Sequence, residues 1–332
     1  MSSQSGSSLV DSFGRHVRYL RLSVTDRCNL RCTYCMAEDM TFLPKSKVLS
    51  LEEMTTVAKA FVDLGVEKIR LTGGEPLVRK GVVQLAQNLG QIEGLRELVM
   101  TTNGVLLRQH AHALHEAGVR RLNISIDSLK PDRFKKLTRF GELADVLDGI
   151  QAARETNFER IKLNAVVLKG VNHDEVIDLT EYAVKNGLDI SFIEEMPLGE
   201  IGSHERVDTA MANVSIKQQI DDAFGLESFD FNDKAAGPSR YMKVANTDTR
   251  VGFISPMTDN FCSSCNRVRV TAEGRLLLCL GNEHSLDLRS IVRERPDELK
   301  QEILGSMTRK PQKHEFDPND ITITRYMSAT GG

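Results

Sequence analysis

VRYLRLSVTDRCNLRCTYC, residues 17–35, and LEEMTTVAKAFVDLGVEKIRLTGGEP, residues 51–76, decide how this chain folds. In the first stretch, Val17 to Val24 alternates Arg and Tyr against aliphatics, the period of a strand. In the second, Leu51 to Leu64 repeats its apolar residues at helical spacing. Ser50 stands where an N-cap belongs, Glu53 takes the capping-box position and Gly65 follows as a stop. Glu67 to Thr72 is a second strand ending in a Gly-Gly turn. Strand, helix, strand is one crossover unit of a parallel sheet.

The unit recurs. Strands are predicted near Leu95–Thr101, Leu122–Ile126, Ile161–Leu168 and Ile190–Glu195, with helices near Val82–Leu89, Leu106–Ala117, Ala144–Thr156 and Glu175–Lys185. Six strands with helical crossovers fit a full or partial (β/α) barrel or a doubly wound sheet. Both gather ligand-binding residues at the C-terminal strand ends. The alternation fades after Pro197. Leu198–Asp208 and Asn232–Arg240 read as loops. A helix near Ser215–Phe224, short strands around Val244–Ile254 and Arg267–Leu278, and helices near Leu286–Val292 and Pro296–Leu304 follow.

The chain has 332 residues, 40% hydrophobic and 27% charged, enough for a large cored α/β domain with an appended subdomain. With 43 basic against 46 acidic side chains the net charge is −3, so no global field holds nucleic acid and an anion must be met by a local basic cluster. The absence of Trp and the five Tyr argue against a base-stacking surface. The longest pure aliphatic run, Leu276 to Leu278, does not span a bilayer. Met1 to Ser12 is Ser/Gly-rich and resembles neither a signal nor a transit peptide. A cytoplasmic location is expected, where thiols stay reduced.

All six cysteines fall into two triads. Cys28, Cys32 and Cys35 form CxxxCxxC on the loop after the first strand. Cys262 and Cys265 form a CxxC that Cys279 completes. A structural zinc site needs four ligands. Three thiolates on a [4Fe–4S] cluster instead leave one iron open to a small molecule. Zinc with a remote fourth ligand, His284 for the second triad, stays open on spacing alone. TGGEP, residues 72–76, follows the second strand; its glycines let backbone approach a ligand and Glu75 adds a carboxylate. Arg267 and Arg269 share one strand face, a fitting pair for phosphate.

A cysteine triad after strand one with GGEP after strand two resembles the radical S-adenosylmethionine (SAM) superfamily. That resemblance implies a partial (β/α)6 TIM-type barrel and a cluster whose open iron chelates SAM. It also implies SAM contacts at Tyr34, Gly74, Ser125 and Met196. The chain from about Gly14 to Gly332 is further similar to the GTP 3′,8-cyclase family of molybdenum-cofactor biosynthesis. The carrying segments are residues 20–36, KIRLTGGEPL at 68–77, TTNG at 101–104 and NISID at 123–127. FIEEMPLG at 192–199, the CxxC–NRVRV–Cys unit and the terminal Gly331-Gly332 complete them.

This second resemblance implies a second [4Fe–4S] cluster on Cys262, Cys265 and Cys279. It implies GTP contacts at Arg21, Arg70, Thr101, Lys162, Arg267 and Arg269, and a tail that reaches into the site. The reaction implied is hydrogen abstraction at ribose C3′ by a 5′-deoxyadenosyl radical, then C3′–C8 bond formation, in a homodimer served by an electron donor and passing product to the next pathway enzyme. The expected organisation is a flexible N-terminus at 1–13, the barrel at 14–200, a C-terminal cluster-binding subdomain at 201–305 and a tail at 306–332. Ser191 stands where many relatives carry Arg, and Glu195 is a lesser departure. Two other readings compete: a radical SAM peptide-modifying enzyme with an auxiliary cluster, and a non-catalytic zinc-binding interaction protein.

Overall fold

The computed structural model describes residues 8–199, 201, 206–229, 233–317 and 319–331. Gly332 and parts of both predicted loops lie outside the described residues.

Six parallel strands run side by side in chain order: β1 Tyr19–Ser23, β2 Lys68–Thr72, β3 Glu97–Thr102, β4 Val119–Ser125, β5 Arg160–Val166 and β6 Asp189–Ile193. Sequential order is that of a barrel; a doubly wound sheet reverses direction midway. Helices α1 Leu51–Asp63, α2 Val82–Gly90, α3 Leu107–Glu116, α4 Pro131–Thr138, α5 Leu143–Glu155 and α6 Val176–Asn186 lie in the crossovers. The Ser50/Glu53 capping box forms as predicted. Helix α4 was not anticipated, although Pro131 at its first turn and buried Phe134 and Leu137 mark it.

Parallel strands buried on both faces usually read as continuous apolar runs. These alternate. Leu20, Leu22, Ile69, Leu71, Leu122, Ile124, Leu163 and Phe192 belong to the apolar core. The intervening residues, among them Arg21, Arg70, Asn123 and Lys162, line a cavity of about 310 Å³. The alternation therefore separates a greasy face from a polar interior.

The sheet continues past both ends of the six. Helices α7 Arg206–Thr209 and α8 Asn213–Phe224 lead to β7 Leu226–Ser228, β8 Arg240–Val244 and β9 Arg250–Ile254, of which β9 joins β6 in parallel. At the other end β10 Arg267–Val270 pairs in parallel with β1, and β11 Arg275–Leu277 and β12 Ser285–Asp287 extend it antiparallel. Helices α9 Leu288–Glu294, α10 Leu299–Ser306 and α11 Met327–Thr330 complete the chain. Among the described residues backbone hydrogen bonds do not close the sheet, but Asn266 Nδ2 reaches across, donating to the carbonyls of Lys234 (2.9 Å) and Ala236 (3.2 Å). Among the described residues no helix is long and apolar enough to cross a membrane.

Candidate functional site

All six cysteines line the one cavity, and none is in a disulfide. The triads occupy opposite ends of the β1/β10 pair. Cys28, Cys32 and Cys35 follow the C-terminal end of β1, whereas Cys262 and Cys265 precede the N-terminal end of β10, which runs parallel to it. The sequence expectation that all motif residues gather at C-terminal strand ends is thus corrected for the second triad. The strand after its CxxC runs away from it, up the barrel.

The loop of the first triad is held by backbone. Gly74 N donates to Thr25 O and Glu75 N to Arg27 O, both at 2.8 Å. A Cβ on Gly73 would meet Thr25 O at 2.6 Å, and one on Gly74 would meet Arg27 O at 2.5 Å, so the glycines first serve to let this loop lie flat. The Gly74 N–H is thereby spent on the loop. From the other side, Arg31 N and Thr33 N donate to the carbonyls of Thr138 and Leu137 at the end of α4. Glu75 is fully buried and accepts from Leu77 N (3.0 Å), Thr102 Oγ1 (2.8 Å) and Asn103 N (2.6 Å). Its carboxylate, expected to face a ligand, clamps the ends of β2 and β3 instead. Tyr34 donates to Asp127 Oδ2 at 2.6 Å, and Gly74, Ser125 and Met196 line the same end of the cavity wall.

The middle of the cavity carries a basic row. In sheet register Arg269 is the partner of Arg21, and Arg21 of Arg70, so three arginines stand abreast on adjacent strands. Arg70 Nη1 donates to Thr101 Oγ1 at 3.1 Å, Lys162 Nζ donates to Tyr241 Oη at 3.1 Å, and Arg267 stacks over Phe261 at 4.9 Å. All six residues expected to meet GTP line the cavity. Burial depresses Arg21 to about 10, with Arg70 and Arg267 adding to it against the opposing pull of Tyr19. Burial also pushes Arg269 well down, reinforced by Arg21 and Arg267. Buried like charges abreast are costly and call for an anion.

Residues that sequence reasoning missed extend this row. Tyr19, Lys68 and Arg121 line the cavity two positions before Arg21, Arg70 and Asn123, so the same period-2 rule marks them. Burial alone would raise the Tyr19 phenol, but Arg70, Arg21 and Lys68 override it and hold it at about 7. Glu97 takes the charge of Lys68 (2.5 Å) and Arg121 (3.0 Å). Tyr241 had no such signal, because it enters from β8, beyond the regular repeat. Ser191 makes a 2.9 Å hydroxyl contact with Ser239, and Glu195 is paired with Arg206 at 3.4 Å.

Burial raises the thiols of the first triad and Cys279 of the second, whereas Cys265 is drawn the other way. Burial, then its cysteine neighbours and Asp127, push Cys32 well up; burial takes Cys28 to about 11 and, with Cys28, Cys35 to about 12. Burial opposes ionisation of Cys265 too, yet Arg267 and Lys310 bring it down to about 7. Among the described residues no three His, Cys, Asp or Glu groups converge closely enough for one metal ion, and His284 does not line the cavity. Thiol triads with N–H donors aimed at sulfur, as from Leu30 N (3.4 Å) and Asn103 Nδ2 (3.8 Å) to Cys28 and Lys310 Nζ (3.6 Å) to Cys265, suit an iron–sulfur cluster.

The tail enters from the C-terminal strand ends. Gly331 O accepts from Arg21 Nη2 at 3.2 Å and from Arg269 Nη1, and Ser328 lines the cavity.

Residues 22–183 match the Radical SAM superfamily, and residues 188–316 match Molybdenum Cofactor Synthesis C. The chain is 54% identical to a GTP 3′,8-cyclase of Saccharophagus degradans, over 98% of this chain and 99% of that one. It is 55% identical to GTP 3′,8-cyclase 2 of Pseudomonas aeruginosa, over 99% and 100%. The crystal structure of Streptococcus suis SuiB bound to S-adenosylmethionine shares the fold, with a TM-score of 0.61 at 14% identity over 88% of this chain and 68% of that one. A polar barrel interior with a cysteine triad at each end, and relatives this similar along its whole length, place the chain in the GTP 3′,8-cyclase family of radical SAM enzymes.

Proposed function

We propose that this chain converts GTP to (8S)-3′,8-cyclo-7,8-dihydroguanosine 5′-triphosphate, the first step of molybdenum-cofactor biosynthesis. The observation that carries this reading is the register-matched row Arg269–Arg21–Arg70, buried between the two cysteine triads. Three guanidiniums with Lys162 and Arg267 match a triphosphate and explain how a chain of net charge −3 holds one. A peptide backbone is uncharged and offers that row no equivalent of a triphosphate.

Cys28, Cys32 and Cys35 would hold the first [4Fe–4S] cluster, with SAM against Tyr34, Gly74, Ser125 and Met196. Cys262, Cys265 and Cys279 would hold the second, with the guanine base nearby. When bound, the first cluster and SAM supply the 5′-deoxyadenosyl radical that takes hydrogen from ribose C3′. The protein's own residues do the positioning. Arg21, Arg70, Arg267, Arg269 and Lys162 fix the triphosphate, Thr101 is oriented by Arg70, and Tyr241 holds the Lys162 ammonium. The fixed phosphates and base hold the nucleotide in the conformer that sets C3′ against its own C8, so orientation is supplied before the bond forms. The docked tail at Gly331 keeps water from that end of the cavity.

The organisation into a 14–200 barrel, a 201–305 cluster subdomain and a 306–332 tail belongs to this proposal. So do a cytoplasmic setting, a homodimer, a separate electron donor and transfer of product to the next enzyme. Anaerobic turnover of reconstituted protein with SAM, a reductant and each ribonucleoside triphosphate tests the core of it. GTP alone should give both 5′-deoxyadenosine and cyclised nucleotide. Formation of 5′-deoxyadenosine with no nucleotide consumed would remove the substrate assignment.

A further inference from the structure

Lys310 lies in the tail segment, 45 residues from Cys265, and is only 2% exposed. Its ammonium has three donors, and each has a partner. Nζ donates to Leu278 O at 2.6 Å, to Arg267 O at 3.0 Å and to Cys265 Sγ at 3.6 Å. The two carbonyls belong to different strands. The β10/β11 ladder pairs Arg269 with Leu277 and Val270 with Leu276. Arg267 and Leu278 lie past its end, where the strands no longer pair. Lys310 bridges the gap there, just where Cys265 leads into β10 and Cys279 leaves β11.

The neighbouring Arg15 locks this bridge in place. Its guanidinium is anchored on Asp11 at 2.5 Å and donates to Cys262 O (2.7 Å), Gln312 O (2.9 Å) and Pro311 O (2.6 Å). The tail at 310–312 is therefore tied to all three arms of the second triad: the Cys262 turn through Arg15, and Cys265 and the Cys279 arm through Lys310.

We infer that Lys310 is a positioning residue for the second iron–sulfur cluster, setting the spacing of Cys265 and Cys279 and placing a fixed positive charge against the Cys265 sulfur. The inference rests on the reading that the second triad holds a cluster. A cation hydrogen-bonded to a ligand sulfur favours the more negative, reduced form, so it raises the reduction potential. A lysine spent only on tying two strands together would leave the potential alone. Second-sphere partners of this kind typically change metal affinity 10–100-fold.

The experiment is an EPR-monitored redox titration of full-length protein with Cys28, Cys32 and Cys35 replaced by Ala, so that all cluster iron belongs to the second triad. Lys310→Met and Lys310→Gln, both uncharged, should shift the potential in the negative direction and lose cluster on dilution roughly 10–100-fold more readily. Lys310→Arg, which keeps the charge, should stay near the parental potential. The Gln variant retains amide N–H donors at a site lined by carbonyls, so a folding defect in the Met variant does not decide the matter. Parental potentials in both uncharged variants would overturn the role of Lys310 and leave the cluster assignment standing. A parent that binds no iron and sulfide at the second triad would overturn the cluster assignment, and this inference with it.

Discussion

Gly331→Ala should partly release the tail from the cavity while leaving the domain folded. Gly331 has φ of +77°, where an L side chain costs roughly 1–2 kcal/mol. Its added methyl would lie 1.9 Å from Thr72 Oγ1, an overlap of the kind that costs about 1–3 kcal/mol to relieve. What holds Gly331 down is its carbonyl, which accepts from Arg21 and Arg269, each such charged hydrogen bond being worth about 1.5–3 kcal/mol. Penalty and anchor are of the same size, so a strongly docked tail becomes partly undocked. Hydrogen exchange read by mass spectrometry should show the C-terminal peptide losing protection, with the melting temperature little changed because the tail stands outside the apolar core. GTP turnover should fall with it. Thr72→Ala offers a control, since Thr72 Oγ1 has no hydrogen-bond partner among the described residues and its loss removes the nearest clash. The double variant should regain part of the protection. Parental protection in Gly331→Ala alone would refute the steric reasoning.

Four further outcomes are expected. Arg269→Met should raise the KM for GTP about 10-fold or more through loss of a charged phosphate contact, with SAM binding unchanged by calorimetry. Cys28→Ala should abolish SAM cleavage, whereas Cys262→Ala should damage GTP binding and leave some uncoupled 5′-deoxyadenosine formation, measured by chromatography. Tyr19 is ionised near pH 7 in the folded protein against about 10 in an unfolded chain, so its stabilising effect is absent below 7 and grows as pH rises towards 10. The gap in melting temperature between parent and Tyr19→Phe should therefore widen over that window in ligand-free protein, together with loss of a phenolate absorbance step. Gly252→Ala should destabilise by roughly 1–3 kcal/mol in urea, because its Cβ would meet Ser239 Oγ at 2.1 Å and Ser191 Oγ at 2.5 Å.

Much of this was legible from local chemistry. The six central strands announce themselves by alternation, α1 by its Ser50 and Glu53 box, and the cysteine loop by CxxxCxxC. Three-residue strands such as β7 and β12 are too short to show a period. Glu75 was misjudged because a carboxylate beside two glycines reads the same whether it faces a ligand or, as here, backbone donors. The opposed placement of the triads depends on β10 pairing in parallel with β1, a long-range choice that no window of sequence contains. The substitution of Ser at 191 has a local account in its contact with Ser239 under Gly252, a neighbourhood with no room for an added methyl.

That late partnership has a consequence for how the protein is made. Strand β10, the outer neighbour of β1, leaves the ribosome about 250 residues after it. Until then one edge of the nascent sheet stands open to pairing with other chains. Lys310 and Arg15 delay completion further, since the pocket of Cys262, Cys265 and Cys279 needs residues 310–312 in place. The three sulfurs of the first triad are thus synthesised long before the pocket of the second can assemble.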